Sequence, residues 1–255
     1  VTTTPNITSH SDRITASDLV KNPRDGQTEL FLVRHGQTIA NVHHQLVGST
    51  DIPLDELGER QAQQVAQRFT SIQIDSIVTS PLARARRTAE RISEVTRRDP
   101  IVVPGLTEID FGRIEGLTIH QVLAQFPELR PQLEDLHDLE LAWPGGESRR
   151  GFHERVMATF LGLIERYESQ KVAVVCHGGV IGSFYAQLEQ GPRNDLVRYA
   201  VANCSVSHLV VTPENTRIEL WNDISHLDEV QQGPLRLTPS LMDDRLESRS
   251  QEDAS

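Results

Sequence analysis

Two apolar runs that end in histidine constrain this chain more than any other feature. Leu30–Val33 stops at Arg34-His35-Gly36, and Val172–Cys176 stops at His177-Gly178-Gly179. Short apolar runs bounded by polar residues and glycine read as buried strands, and strands buried on both faces belong in parallel sheets covered by helices. A third short strand, Asp75–Thr79, leads through Ser80-Pro81 to Arg84, one turn into a helix.

Helical spacing fills the gaps between these strands. Asp55 is a plausible N-cap for a helix to about Thr70, with Leu57, Ala62, Val65 and Phe69 on one face. Ser80-Pro81 reads as an N-cap and first-turn proline for a helix burying Leu82, Ala85, Ala89 and Ile92. A long helix from about Ser148 to Gln170 turns Phe152, Val156, Phe160, Leu163 and Tyr167 inward. Ile101–Val103, Ser205–Thr212 and Arg217–Trp221 are further strands, the last two joined by a turn at Pro213-Glu214-Asn215. This alternation predicts an α/β three-layer sandwich, with a mostly parallel central sheet, helices on both faces and a small cap over the carboxyl ends of the strands.

The layout divides into a polar N-terminal extension over residues 1–27, one domain over 28–227 and a charged tail over 228–255. Within the domain, about 113–146 is rich in Pro and Gly and reads as the cap. No apolar run approaches the roughly 18 residues of a spanning helix. A formal net charge of −11 argues against nucleic acid or an anionic membrane surface as partner. Cys176 and Cys204 are the only cysteines, which fits a reducing cytoplasm and supplies neither a disulfide framework nor a zinc spacing. Cys176 reads as a small buried residue.

Parallel strands share one carboxyl edge, so Arg34, His35, Arg84 and His177 are expected to converge there. A phosphoryl group needs such a pocket: guanidinium forks for its oxygens, a neutral imidazole to attack phosphorus, and helix N-termini for further N–H donors.

At this point the chain resembles the histidine phosphatase superfamily, also called phosphoglycerate-mutase-like. The resemblance rests on Leu32–Thr38 with Asn41, Leu54–Ala62, Ser80–Ala89, Leu106–Gly112, Pro144–Ser148 and Val175–Gly179, and covers about residues 29–224. It implies that His35 is a nucleophile passing through a phosphohistidine. It implies that Arg34, Arg84 and His177 bind the phosphoryl oxygens, with Asn41, Gln37 and Gly178 among the substrate contacts. Glu108 becomes the acid that protonates the leaving alkoxide, which requires a raised pKa; Asp110 and Glu115 are nearby acids without an assigned place. No metal or cofactor is called for, since the arginines carry the charge.

The family holds both phosphatases and mutases. Between Arg113 and Trp143 the only Lys or Arg residues are Arg113 and Arg130, which resembles the phosphatase branch. The expectation is a metal-independent phosphomonoesterase acting on a small phosphorylated metabolite. Mutase-type phosphoryl transfer and a non-catalytic phospho-ligand binder are the alternatives, and a homo-oligomer such as a dimer is left open. Arg86, Arg87 and Arg91 read as a solvated helix face. Trp143 reads equally as pocket lining or as packing. His43, His44, His120, His137 and His153 read as polar residues rather than ligands.

Overall fold

Burial along the first strand sets the layers. In the computed structural model, which describes residues 26–135, 138–190 and 199–228, Leu30 to Val33 are all buried, and successive side chains alternate between two cores. The extension through residue 25, the tail from 229 and His137 lie outside the described residues. The elements run β1 (Thr28–Arg34), α1 (Ile39–Val42), α2 (Glu56–Arg68), β2 (Ser76–Thr79), α3 (Ala83–Thr96), β3 (Pro100–Val102), α4 (Ile119–Gln125), α5 (Arg130–Glu134), α6 (Arg149–Arg166), β4 (Lys171–Cys176), α7 (Gly178–Gln190), β5 (Val206–Val211) and β6 (Thr216–Asp223).

Six strands form one sheet in the order β3-β2-β4-β1-β5-β6. On one face Leu30, Leu32, Val172 and Val174 pack with Phe152, Val156 and Phe160 of α6 and Val180 and Phe184 of α7. On the other face Phe31, Val33, Ala173 and Val175 pack with Ala62 and Val65 of α2 and Ala85, Ala89 and Ile92 of α3. Each large side chain so buried contributes about 1.5–3 kcal/mol, which makes a one-residue register slip in β1 prohibitive. Among the described residues no helix is long and apolar enough to cross a membrane.

β3, β2, β4 and β1 are mutually parallel, as the expected shared edge requires. β5 runs antiparallel to β1, and β6 returns along β5. Their connection is a tight turn in which Thr212 N–H donates to Asn215 O at 2.8 Å. A turn that short can join only antiparallel strands. At the far end of the sheet from the strand termini discussed below, buried Glu29 accepts from His208 Nε2 at 2.9 Å and lies 3.5 Å from Lys171 Nζ.

Several sequence expectations change in detail. The helix after β2 starts at Ala83, and its N-terminal Ala83 N–H is taken by Asp51 Oδ1 at 2.6 Å, so Ser80 is not its cap. A competing interaction has claimed the Ser80 hydroxyl. α6 starts from Ser148 as expected but ends at Arg166, where Tyr167 leaves helical geometry. Thr38 and Asn41 form a capping box for the short α1, a single helical turn that the sequence reading does not single out. The segment expected to form the cap packs onto the rest of the domain. Leu123, Leu129, Leu133, Leu141 and Trp143 join the α6/α7 core. Arg149 Nη1 donates to the carbonyls of Gln132, Asp135 and Asp138. Trp143 is 6% exposed and packs edge-on to Phe111, which settles it as packing.

Candidate active site

The parallel ladder continues one residue past each strand end. His35 N–H donates to Cys176 O at 3.0 Å, and Ser80 N–H donates to Val175 O at 3.0 Å. This register brings β1, β2 and β4 to one level, and the His35 and His177 rings lie 5.1 Å apart at 60°.

The backbone after β1 is held from several directions. Gly36 N–H donates to Thr88 Oγ1 at 3.1 Å, Gln37 N–H to Gln61 Oε1 at 2.8 Å, and Thr38 N–H to Asn41 Oδ1 at 3.1 Å. Asn203 Nδ2 donates to His35 O at 3.0 Å and to Asn41 Oδ1 at 3.2 Å. The following residue, Cys204, has a left-handed φ of 53° and turns its N–H toward Arg34 O and His35 O. Local sequence gives no sign of Thr88, Gln61 or Asn203 in these roles. Each is an ordinary polar residue far along the chain from its partner.

His35 is 4% exposed, and its Nδ1–H donates to Gly36 O at 2.7 Å. A carbonyl only accepts, so Nδ1 carries the proton and Nε2 keeps its lone pair. Burial, then the Arg84 and Arg34 charges, push the His35 pKa well below its ordinary value. The ring is therefore neutral in the pH range where a nucleophile is needed.

His177 is fully buried, and its Nε2 lies 2.7 Å from Ser80 Oγ. Ser80 Oγ already accepts from Leu82 N–H at 3.3 Å, so its own proton is free to go to Nε2. That leaves His177 Nδ1–H as a donor, and Nδ1 is buried with no hydrogen-bond partner among the described residues. Burial, followed by Arg84, His35, Arg34 and Arg155, keeps this imidazole neutral as well. Arg34 Nη1 donates to Val201 O at 2.6 Å, while its buried Nε has no hydrogen-bond partner among the described residues. Gly178 lies against that guanidinium.

Arg84 is 2% exposed and donates to Gly48 O at 2.6 Å and Thr50 O at 2.8 Å. The loop supplying those carbonyls is in turn gripped by Glu115. Its carboxylate accepts from Gly48 N–H at 2.9 Å, Ser49 N–H at 3.0 Å and Phe111 N–H at 3.2 Å. Asp110 Oδ1 accepts from Ser49 Oγ at 3.0 Å and Gly112 N–H at 2.9 Å. Both neighbouring acids are thus occupied as loop anchors. Glu108 is the carboxyl turned toward the histidines' end of the sheet. Its Oε2 accepts from Gly179 N–H in the first turn of α7 at 2.8 Å, and its Oε1 from Ile109 N–H at 3.0 Å. A Cβ on Gly179 would overlap Glu108 Oε1, so the carboxyl fits only against glycine. Withdrawal from water raises the Glu108 pKa despite the two N–H bonds and the Arg84 and Arg34 charges.

The structure thus gathers Arg34, His35, Arg84, His177, Gly178 and Glu108. Gln37 and Asn41 stand at the margin with their side chains engaged. Gln37 Nε2 donates to Asp55 at 3.0 Å, and Asn41 Oδ1 serves the α1 cap and Asn203. Arg87 and Arg91 are not simply solvated, for both pair with Glu59 of α2, at 2.7 and 3.0 Å. His153 lies on α6, buried, with Nδ1 2.6 Å from Ser183 Oγ. Cys176 is buried and its thiol is pushed above the range in which it ionises. Among the described residues no group of three or more His, Cys, Asp or Glu is placed to hold a metal ion.

Comparison with known proteins agrees with this geometry. A sequence model of the histidine phosphatase superfamily, branch 1, matches residues 30–224. The uncharacterized phosphatase PhoE of Bacillus subtilis is 32% identical over 201 residues, covering 78% of this chain and 97% of that protein. The probable phosphoglycerate mutase GpmB of Cronobacter sakazakii is 32% identical over 206 residues, covering 78% of this chain and 95% of that one. A mycobacterial glucosyl-3-phosphoglycerate phosphatase superposes with a TM-score of 0.67 at 29% identity, covering 77% of this chain and 99% of its own.

Proposed function

The chain belongs to the histidine phosphatase superfamily, and from that premise we propose that it is a phosphomonoesterase acting on a small phosphorylated metabolite through a phosphohistidine. The domain spanning about residues 28–227 carries the activity. The observation that carries the reading is the state of His35. Its Nδ1–H is committed to Gly36 O, its neutral Nε2 keeps a lone pair, and the same two strand ends hold two buried donors with no partner among the described residues, Arg34 Nε and His177 Nδ1. Unpaired buried donors are costly, and a phosphoryl group supplies the oxygens they lack.

In this reading Nε2 attacks phosphorus and the ester P–O bond breaks, leaving phosphate on His35. Arg34, Arg84 and His177 hold the equatorial oxygens as charge redistributes. Glu108, kept protonated by its surroundings, gives its proton to the departing alkoxide. The resulting carboxylate takes a proton from water, which attacks phosphorus, breaks the P–N bond and releases inorganic phosphate. A phosphoryl dianion in the pocket raises the Glu108 pKa further in the first half of the cycle.

The cap favours hydrolysis over transfer to a second anionic substrate. Its two arginines between residues 113 and 143 are occupied: Arg113 lies 5.5 Å over the Phe126 ring and Arg130 is 3.7 Å from Glu134. The test is to incubate the protein with a labelled phosphate ester and quench. An acid-labile, alkali-stable label on the wild-type protein is expected, with neither label nor turnover in His35→Ala. Interconversion of phosphoglycerates without release of phosphate would replace this reading with the mutase.

A further inference from the structure

We propose that Arg155 of α6, clamped by Glu147, is the positioning residue for the leaving-group acid. The inference rests on the reading of Glu108 as that acid. All five N–H groups of the Arg155 fork are spent on the acid loop and its anchor. Nη1 donates to Gly105 O at 2.9 Å and to Thr107 O at 2.8 Å, and Nη2 to Glu108 O at 3.4 Å. Nε and Nη2 form a bidentate pair with Glu147 Oε1 and Oε2, at 3.0 and 2.7 Å. Glu147 then reaches the far side of the same loop, its N–H donating to Asp110 O at 2.8 Å. The loop is gripped at both ends by one ion pair, with the Glu108 side chain between the grips.

The geometry separates this role from general support of the fold. α6 is already seated by Phe152, Val156, Phe160 and Leu163, all buried in the core. The Arg155 and Glu147 side chains remain 28% and 21% exposed, where an ion pair adds little to stability. What Arg155 uniquely supplies is a planar set of donors that fixes the Gly105, Thr107 and Glu108 carbonyls relative to α6. A lysine offers donors from a single point and cannot reproduce that fork. Tight placement matters because proton transfer to a leaving oxygen needs hydrogen-bond reach.

The discriminating readout is dependence on the leaving group. Protonation matters for an alkyl phosphate and little for an aryl phosphate whose phenolate departs unaided. The measured quantity is kcat/KM, which reports the step that breaks the ester bond, for glycerol phosphate and p-nitrophenyl phosphate. Glu108→Gln should lose about 100-fold or more on the alkyl ester and far less on the aryl ester. Arg155→Met should lose about 10- to 100-fold on the alkyl ester and under about 3-fold on the aryl ester, with Arg155→Lys recovering only part. Glu147→Gln should show the same selectivity more weakly, and it decides the matter if Arg155→Met does not fold. Equal losses on both esters in these variants, or no loss, would overturn the clamp while leaving Glu108 as the acid. If Glu108→Gln itself shows no leaving-group dependence, the acid assignment beneath the clamp fails.

Discussion

His35, His177 and Glu108 are buried side chains, each oriented by specific neighbours. The Gly36 carbonyl orients His35, the Ser80 hydroxyl faces His177 Nε2, and the N–H groups of Gly179 and Ile109 hold the Glu108 carboxyl. Ser80→Ala removes the hydroxyl at His177 Nε2 and lets the ring take the other tautomer, with a lone pair facing phosphate. Inhibition by inorganic phosphate should weaken about 10-fold, in line with the roughly 1–3 kcal/mol for stranding a buried polar atom. An unchanged inhibition constant would remove Ser80 from the site. The pH profile follows from two opposite shifts. On the proposed mechanism His35 acts when neutral, and its lowered pKa extends activity toward acid. On the same mechanism Glu108 acts when protonated, and its raised pKa should carry alkyl-ester hydrolysis above the ordinary carboxylate range, beyond which activity falls as the proton is lost. A plateau at mildly acidic pH is expected, and loss of the alkaline limb in Glu108→Gln would identify its source. A wild-type activity that falls with acid across the mildly acidic range contradicts the His35 shift, and one that falls with rising pH there contradicts the Glu108 shift.

Among the elements, the strand ends were legible because an apolar run halted by Arg-His-Gly combines burial, charge and a sharp turn within a few residues. The loops that hold the site were not. Glu115 sits in a polar stretch with Asp110 and Glu108, and composition cannot rank three acids so close together. Only the fold shows that Glu115 faces the N–H groups of Gly48, Ser49 and Phe111, and so carries Arg84 through the Gly48 and Thr50 carbonyls. Glu115→Ala should raise KM for every ester about 10-fold and lower stability by about 1–3 kcal/mol, with the alkyl-to-aryl ratio unchanged. Melting curves and KM for the two esters check this. A change in that ratio would place Glu115 with the acid instead. Asp51 is a parallel case, since it caps α3 from a loop that Ser80-Pro81 gave no reason to suspect.

At the scale of the whole molecule, neutral histidines buried on folding tie stability to pH. Burial is the leading cause that lowers His153 and His226 to about 4, and it lowers His35 and His177 in the same direction. A group with a depressed folded pKa contributes fully above its unfolded value, near 6.5 for histidine, and loses that contribution as pH falls. Glu108 works in reverse, since its extra folded-state proton favours the fold at low pH. Four histidines against one glutamate predict net loss on acidification. His153 and His226 should each account for of order 1 kcal/mol between about pH 7 and pH 5, several degrees in Tm. Thermal melts at the two pH values test this, and His153→Gln should reduce the difference. An identical wild-type Tm at both would contradict it.

The sequence alone determined the three-layer α/β plan, the two histidine-bearing strand ends and the arginine that opens α3. Those features are local: apolar runs must be buried, and glycine must follow where the backbone turns against a ligand site. Tertiary structure decided which nitrogen of His35 is free, which acid loses water, and which distant residues hold them. Thr88, Gln61, Asn203 and Arg155 lie 24 to 168 positions from the backbone groups they bind at the site. A hydrogen bond closed over that distance leaves no trace in local spacing, because its partners meet only after the sheet has assembled.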